Sequence, residues 1–490
     1  MKSTTKSPLK KLRWTSTSKR LLPNSSLNKE WFVVKRDGNV YDDYIVDKKA
    51  LGEGTYGVVF KAKDKDTNEV VAIKRISREK IRNYQRFLNE INALKTLDHP
   101  NVIKLFEIYE DDEFVYLVME YLSGGELFEY IVDQEYLDEI QTASIFKQIL
   151  HSILYWHKNA ICHRDLKPEN FMFESKSKDA NLKLIDFGLS CLYYRIDEKG
   201  TGKYLRMQTK AGTAYFMAPE ILTENYSNSW DMWSIGVILY IMLWGYPPFD
   251  GDTEEDILRA VQKQQYSFSD EIWDKVSEEA KDLISKLLVP EDQRLSPKEA
   301  LKHPWLLNAT KKSDETKTSI SSEHIQRLRK FHKIENFKKV VLTFIASRTT
   351  DKEVLDQMNM FKKLDKNKDG YITMHELKSA LKNNYAEDEL KEILKGVDTD
   401  KNGAINYTEF IAATLDKMLL RDKSKIEKAF KVLGKYLRIL IQKLLDKALL
   451  IIKVQLKSKN FMWFLIYNKV DSLWTTNTHL ISNDIAKFLN

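Results

Sequence analysis

The stretch His163-Arg164-Asp165-Leu166-Lys167-Pro168-Glu169-Asn170 decides how this chain is read. It is followed by Leu184-Ile185-Asp186-Phe187-Gly188 and then by Ala218-Pro219-Glu220. Before it stand Val71-Ala72-Ile73-Lys74 and, earlier still, Gly52-Glu53-Gly54-Thr55-Tyr56-Gly57-Val58-Val59. Each motif alone is open to a bland reading. Their order and spacing together lie beyond chance.

The glycine motif is the weakest of them taken singly. In a dinucleotide-binding fold G-x-G-x-x-G opens a helix. Here Val58-Val59-Phe60 continues as a strand, so the turn belongs to a hairpin. Glycines in such a turn let backbone N–H groups approach a phosphate without a Cβ clash. An ordinary glycine-rich turn is the alternative. Lys74 sharpens the reading, because an ammonium in an apolar strand is costly unless paired. Glu90 follows in the helical pattern Phe87-Leu88-Glu90-Ile91-Leu94, which permits a Lys74–Glu90 ion pair with Lys74 on nucleotide phosphates. Around these motifs the chain is strand-rich first and helix-rich after about Tyr121. That order predicts a two-lobed α+β domain.

The set resembles the eukaryotic protein kinases, over about Tyr44 to Trp305. The resemblance implies that Asp165 accepts the substrate hydroxyl proton and orients it. Lys167 would stand beside the transferring phosphoryl group, and Asp186 and Asn170 would offer oxygen ligands to Mg2+. Leu51, Gly52, Gly54, Gly57 and Val59 would cover ATP, with Met119 as gatekeeper and Glu120 to Leu122 as the adenine hinge. Lys167 and the segment Gly212-Thr213-Ala214-Tyr215 are similar to Ser/Thr rather than Tyr kinases. Glu126, in Gly124-Gly125-Glu126-Leu127-Phe128, resembles the acid that reads a basic residue three positions before the phosphoacceptor, with Glu169 assisting; contact with ribose or solvent alone is the alternative. Glu220 is expected to pair with Arg294, Asp231 to anchor the catalytic loop, and Thr213 to contact Asp165. Cys162 reads as a small core residue and Cys191 as an oxidisable position only in the sharper view. The activation segment, Asp186 to Glu220, is 35 residues and long for the family. Arg164 could bind a phosphate there. Thr201 and Thr209 are its candidate phosphorylation sites.

After Trp305 a Lys/Ser/Thr run, Thr310 to Ser322, marks a linker. Ile325, Leu328, Phe331, Ile334, Phe337, Val340, Val341, Phe344 and Ile345 then recur at helical spacing, interleaved with Arg327, Arg329, Lys330, Lys333, Lys338 and Lys339. A basic amphipathic helix reads as a membrane-surface or calmodulin-target-like segment. A helix packed on the preceding lobe is the bland reading.

Two further stretches, Asp365 to Glu376 and Asp398 to Glu409, each fit a 12-residue EF-hand loop. Oxygen side chains fill positions 1, 3, 5 and 9, glycine fills 6 and glutamate fills 12. The Ca2+ ligands predicted are Asp365, Asn367, Asp369, Tyr371 (backbone), Thr373 and Glu376, then Asp398, Asp400, Asn402, Ala404 (backbone), Asn406 and Glu409. Ile372 and Ile405 are placed to pair across a short β-bridge.

A kinase, a basic junction and EF-hands in one chain resemble the calcium-dependent protein kinases. The resemblance implies a bilobal kinase followed by an all-α EF-hand pair. It also implies an autoinhibitory junction, roughly Ile325 to Ala346, that blocks the substrate site until Ca2+ opens the pair and captures it. The division expected is a basic arm (1–43), kinase (44–306), linker and junction (307–350), EF-hand pair (351–420) and a remainder (421–490). Here the chain departs from the family pattern of four EF-hands. Glu427 to Leu433 looks like the entry helix of a third. Gly434-Lys435-Tyr436-Leu437 then begins a Lys-, Ile- and Leu-rich tail with no acidic loop. That break points to a retained intron, a frameshift or alternative splicing, the other reading being a membrane- or partner-binding extension.

Composition agrees with this division. At about 150 residues per domain, 490 residues suggest roughly three domains, and 43% hydrophobic residues suffice for real cores. Two cysteines exclude a disulfide framework. No run of 18 apolar residues is present, so no transmembrane helix is expected. Residues 1–30 carry eight Lys/Arg against one Glu, and residues 431–490 ten against three Asp, so the middle of a chain of net charge +7 is acidic by −7. The arm lacks the apolar core of a signal peptide, and Lys2 excludes N-myristoylation at this start. A cytoplasmic monomer is expected. Its substrates would be proteins with Ser/Thr acceptors and an upstream basic residue; no nucleic-acid partner is expected. The arm's sharper reading is weak contact with an acidic membrane face. A Ca2+-dependent scaffold with secondary kinase activity is the alternative function, and the intact Lys74, Asp165, Asn170 and Asp186 argue against it.

Overall fold

The computed structural model describes residues 33–415, except 37, 55–56, 82–86, 88–90, 92–93, 178, 187–189, 197–201, 205, 208–211, 224, 312–321, 333–335 and 382–384, together with Lys425, Ile426 and Ala429. The basic arm before residue 33, Glu90, Thr201, Thr209 and the tail beyond Leu433 therefore lie outside the described residues.

The first lobe is a six-stranded sheet of β1 (Val34–Arg36), β2 (Tyr44–Gly54), β3 (Gly57–Asp64), β4 (Val70–Ser77), β5 (Leu105–Glu110) and β6 (Phe114–Glu120). Their spatial order is β1-β5-β6-β4-β3-β2. β4 reads Val-Val-Ala-Ile-Lys-Arg-Ile-Ser, a β-branched run suited to a strand with both faces covered. Val71, Ile73 and Ile76 are buried on its two faces. β2 and β3 form the predicted hairpin, with Gly54 opposite Gly57.

The second lobe is helical. Its elements include α1 (Leu127–Gln134), α2 (Glu139–Lys158), α3 (Ser229–Trp244), α4 (Glu254–Lys263) and α5 (Glu278–Leu287). Asp138 caps α2 by accepting from the Gln141 N–H at 2.8 Å. α3 is apolar all round, as a central core helix should be, and almost every residue of it is buried. Its C-terminus turns through Gly245 at φ +92°, where a Cβ would also lie 2.4 Å from the Glu135 carbonyl oxygen. Short strands β7 (Ile161–Cys162), β8 (Phe171–Phe173) and β9 (Leu182–Leu184) support the loops between the lobes. β10 (Cys191–Leu192), β11 (Tyr194–Ile196) and β12 (Gly202–Tyr204) lie in the long activation segment, β11 pairing antiparallel with β12. Cys162 is fully buried, as a core residue.

Two helices carry the junction expected over Ile325 to Ala346: α6 (Ser322–His332) and α7 (Asn336–Arg348). The EF-hand pair follows as α8 (Leu355–Leu364), β13 (Tyr371–Ile372), α9 (Met374–Ala380), α10 (Glu387–Val397), β14 (Ile405–Asn406) and α11 (Tyr407–Thr414). Leu328, Phe331, Val341, Phe344 and Ile345 of the junction share one core with Met358, Phe361, Leu390, Ile393, Phe410 and Ile411 of the pair. These described members of the apolar stripe read from the sequence are thus covered by the EF-hands, while the side chains of Ile325, Ile334 and Phe337 lie outside the described residues. Ile426 and Ala429 join the same core.

This unit rests on the kinase at named points. Arg348, at the end of α7, pairs with Glu107 of β5 at 3.1 Å. Glu107 is wholly buried and also accepts from Arg36 of β1 (3.1 Å), Tyr44 (3.2 Å) and Tyr109 (2.9 Å). A buried carboxylate needs that many donors to offset its lost hydration. Lys104 Nζ donates to the Thr349 carbonyl at 2.9 Å, and Lys362 Nζ to Asn181 Oδ1 at 2.7 Å.

Candidate functional site: a phosphotransfer cleft and two EF-hand loops

β4 places Lys74 opposite Val59 of β3 and Leu117 of β6, at the centre of the sheet. Its ammonium reaches Asp186 Oδ1 at 3.0 Å, which satisfies a lysine that is only 7% exposed. The sequence brought these residues 112 positions apart; the fold makes them an ion pair.

The catalytic loop is built around Asp165. Thr213 Oγ1 donates to Asp165 Oδ1 at 3.1 Å, and Lys167 Nζ donates to Thr213 Oγ1 at 3.4 Å. Lys167 Nζ is itself 3.9 Å from Asp165 Oδ2. Asn170 Nδ2 donates to the Asp165 carbonyl at 2.6 Å. Arg164 holds φ at +68°, a strained turn for a non-glycine residue at a functional site. Asp231 stabilises that turn by accepting from the N–H groups of His163 (3.0 Å) and Arg164 (2.9 Å) and from His157 Nε2 (2.8 Å). Burial pushes the Asp231 carboxyl up, but His157, His163 and the Arg164 amide together hold it below the usual carboxylate range. His163 Nε2 donates to the Asp186 carbonyl at 2.5 Å while its Nδ1 accepts from the Asp165 N–H at 3.3 Å. Burial drives the His163 pKa down, consistent with a neutral ring in that one tautomer.

The expected structural pairs are present. Arg294 grips Glu220 through Nη1–Oε1 at 2.5 Å and Nη2–Oε2 at 3.1 Å. Thr213 meets Asp165 and Asp231 anchors the loop, as the resemblance implied. Glu90 lies outside the described residues, so the Lys74–Glu90 pair does too.

The nucleotide positions divide by physical role. Gly52 has open space where a Cβ would stand, whereas a Cβ on Gly57 would lie 2.2 Å from the Arg75 carbonyl oxygen. Gly57 is thus demanded by strand packing, whatever a phosphate requires. Leu51 is exposed on the hairpin, Val59 half-buried, and Met119 and Leu122 buried. The Glu120 side chain does not face the hinge as a free acid. It binds the Lys104 N–H at 2.7 Å and Lys183 Nζ at 3.2 Å. Lys183 is wholly buried and went unread in the sequence, although Leu182-Lys183-Leu184 carries the same signal as Lys74, a lysine in an apolar strand. Glu126 is half-buried at the start of α1. Burial, with Glu129 and Glu169 nearby, pushes its carboxyl up against the offset of Lys167.

The EF-hand loops fold by a local rule. Thr373 and Asn406, at position 9, each cap the following helix and receive its glutamate in return, forming capping boxes with Glu376 and Glu409. Ile372 pairs with Ile405, as expected. Glycines 370 and 403 take φ +82° and +91°. In the second loop, oxygens of Asp398, Asp400 and Glu409 lie within 4.8 Å of one another. Burial first, then Asp400, pushes Glu409 up to about 8, and burial pushes Asp400 up to about 6. Carboxylates crowded this way fit a hard divalent cation with oxygen preference. In the first loop, Asp365 is pushed up to about 7 by burial, and Asp369 forms an ion pair with Lys158 of α2.

Comparison with known proteins agrees with this geometry. The protein kinase domain family matches residues 45–306, and the EF-hand domain pair family matches residues 356–415. Calcium-dependent protein kinase 3 of Plasmodium berghei (strain Anka) is 40% identical over 421 residues, covering 84% of this chain and 73% of the relative. Calcium-dependent protein kinase 4 of the same organism is 39% identical over 450 residues, covering 87% and 84%. Calcium-dependent protein kinase 4 of Plasmodium falciparum (isolate 3D7) is 38% identical over 443 residues, covering 85% and 82%.

Proposed function

We propose, from the premise that this chain belongs to the calcium-dependent protein kinases, how its residues divide the work of a calcium-regulated Ser/Thr kinase. The observation that carries the reading is Lys74 and Asp186 drawn to 3.0 Å, with Asp165 held by Thr213 at the cleft. Lys74 binds the nucleotide phosphates. Asp165 orients the acceptor hydroxyl and takes its proton, and Thr213 fixes which carboxylate oxygen does so. Lys167 places positive charge beside the transferring group. Asp186 and Asn170 would hold the divalent cation, which we assign as Mg2+; when bound it neutralises charge developing on the phosphates.

Glu126, Glu129 and Glu169 concentrate negative charge near the cleft. They suit a substrate with a basic residue upstream of its Ser or Thr. The same acids complement the junction, whose Arg329 and Lys330 are exposed. Leu328, Phe331, Val341 and Phe344 are buried in one core with the EF-hand pair. When the pair closes on losing Ca2+, that face needs another apolar cover, and the cleft supplies both it and the charge. The chain would then work as a monomer. Cytoplasmic placement, with the basic arm weakly held at an acidic membrane face, belongs to the same proposal. Among the described residues no helix is long and apolar enough to cross a membrane. Phosphorylation of a basic peptide, measured with Ca2+ and with chelator, tests the regulation. A large drop in rate with chelator is expected, and equal rates would sink it.

A further inference from the structure

The two EF-hand loops are nearly equivalent in sequence and differ in setting at their apices. The apex of the first is pressed into the kinase. A Cβ on Gly370 would lie 2.4 Å from Tyr155 Cδ2 and 3.0 Å from His99 Cδ2. Its ligands Asp365 and Asp369 are 3% and 2% exposed. Tyr371 OH donates to Asn159 Oδ1 at 3.3 Å. The apex of the second loop faces solvent: a Cβ on Gly403 would meet nothing within 4 Å, and Lys401 and Asn402 are exposed.

A cation already stands at the first loop. Lys158, at the C-terminal end of α2, places its ammonium on Asp369 Oδ2, while Asp369 Oδ1 accepts the Tyr371 N–H at 3.0 Å. Asp369 is the position-5 ligand, so the ammonium sits on one of the carboxylates that Ca2+ needs.

We propose that Lys158 is an internal counter-cation for the first loop, so that docking on the kinase and Ca2+ at this loop oppose one another, while the second loop, which meets the kinase through Thr408 rather than through a Ca2+ ligand, takes Ca2+ independently of Lys158. Two physical terms act in the same direction. An ammonium on Asp369 removes a share of the carboxylate from Ca2+, and its charge repels a divalent ion at that distance in a partly buried setting. Linkage then makes the effect reciprocal: what docking costs Ca2+ binding, Ca2+ costs docking. The first loop becomes a sensor of the docked state, and the second the site filled at lower Ca2+.

The inference rests on reading both loops as Ca2+ sites, and the test separates the two. The full chain is titrated with Ca2+ by calorimetry in two single-loop backgrounds, Glu409→Gln for the first loop and Glu376→Gln for the second. In the first, Lys158→Gln is expected to tighten Ca2+ about tenfold, and Lys158→Arg to leave it weak. In the second, Lys158→Gln is expected to change nothing. Lys158 is half-exposed, so its replacement does not threaten the fold. Unchanged or weaker binding at the first loop on Lys158→Gln overturns the proposal, as does equal tightening at both loops. Failure of either single-loop parent to bind Ca2+ removes the reading of the loops themselves.

Discussion

Asp98 receives both polar groups of Thr408: the backbone N–H at 2.9 Å and the hydroxyl at 2.8 Å. The two residues are 310 positions apart, one before the catalytic lobe and one in the first turn of α11. Asp98 is thereby an acid at the N-terminus of an EF-hand helix, where the helix dipole favours it, but supplied by the kinase. Both residues are buried, so loss of Asp98 removes the acceptor of both Thr408 donors in a site with little access to water.

Asp98→Ala is therefore expected to loosen the docked arrangement by about 1–3 kcal/mol. Hydrogen exchange at the Thr408 amide should quicken by about tenfold or more, with the catalytic-loop amides unchanged. Unaltered exchange at Thr408 would remove the contact from any role in docking.

Asp165→Asn keeps the hydrogen bond from Thr213 within reach but removes the proton acceptor. The expected loss in kcat for peptide phosphorylation is about 100- to 10,000-fold, the usual range for general-base catalysis. The KM for ATP should stay near its original value, because Lys74 and Asp186, to which we assign the phosphate side, are left in place by the substitution. Retained kcat would exclude Asp165 as the base.

Glu126→Gln is expected to raise KM for a peptide carrying a basic residue three positions before its acceptor by about tenfold, the worth of a hydrogen bond to a charged group. A peptide with alanine there should be phosphorylated equally by both proteins. Equal losses for the two peptides would place Glu126 on ribose or solvent instead.

Arg294→Ala leaves the Glu220 carboxylate in a largely buried site with its guanidinium partner gone. Breaking such a pair costs about 3–5 kcal/mol. Thermal unfolding should fall sharply in midpoint, and the double variant Arg294→Met, Glu220→Leu should recover part of it.

Asp231 gives the pH dependence a definite sign. Its folded pKa lies below the unfolded value, so its contribution is fully present above the ordinary carboxylate pKa and is lost as pH falls through the folded one. Urea unfolding between about pH 6 and pH 3 should show falling stability, worth about 1.4 kcal/mol for each pKa unit of depression. In Asp231→Asn that acid-side slope should flatten.

Much of this was legible in the chain itself. The catalytic motifs were readable because phosphoryl transfer constrains residue type at short spacings, and the paired Glu220 and Arg294 followed from the family pattern. The EF-hand loops were readable because every ligand lies within twelve residues, and even their capping boxes are local. The Lys183–Glu120 pair was missed although its signal was present. The Glu107 network was beyond reading, since Arg36, Tyr44 and Arg348 come from β1, β2 and the end of α7, and only folding brings them to one carboxylate.

Sequence alone therefore determined what chemistry the chain holds: a phosphotransfer cleft, a basic apolar junction and two oxygen-lined loops. Only the tertiary structure decided how the loops differ. Asp365 to Glu376 and Asp398 to Glu409 follow the same local pattern, but the apex of one is buried against Tyr155, His99 and Lys158, whereas the apex of the other is open to solvent and its exit meets the kinase at Thr408. A ligand's residue type is fixed by the chain, whereas its dielectric surroundings and its neighbouring charges are fixed by what packs on it, and these set how strongly a cation is held.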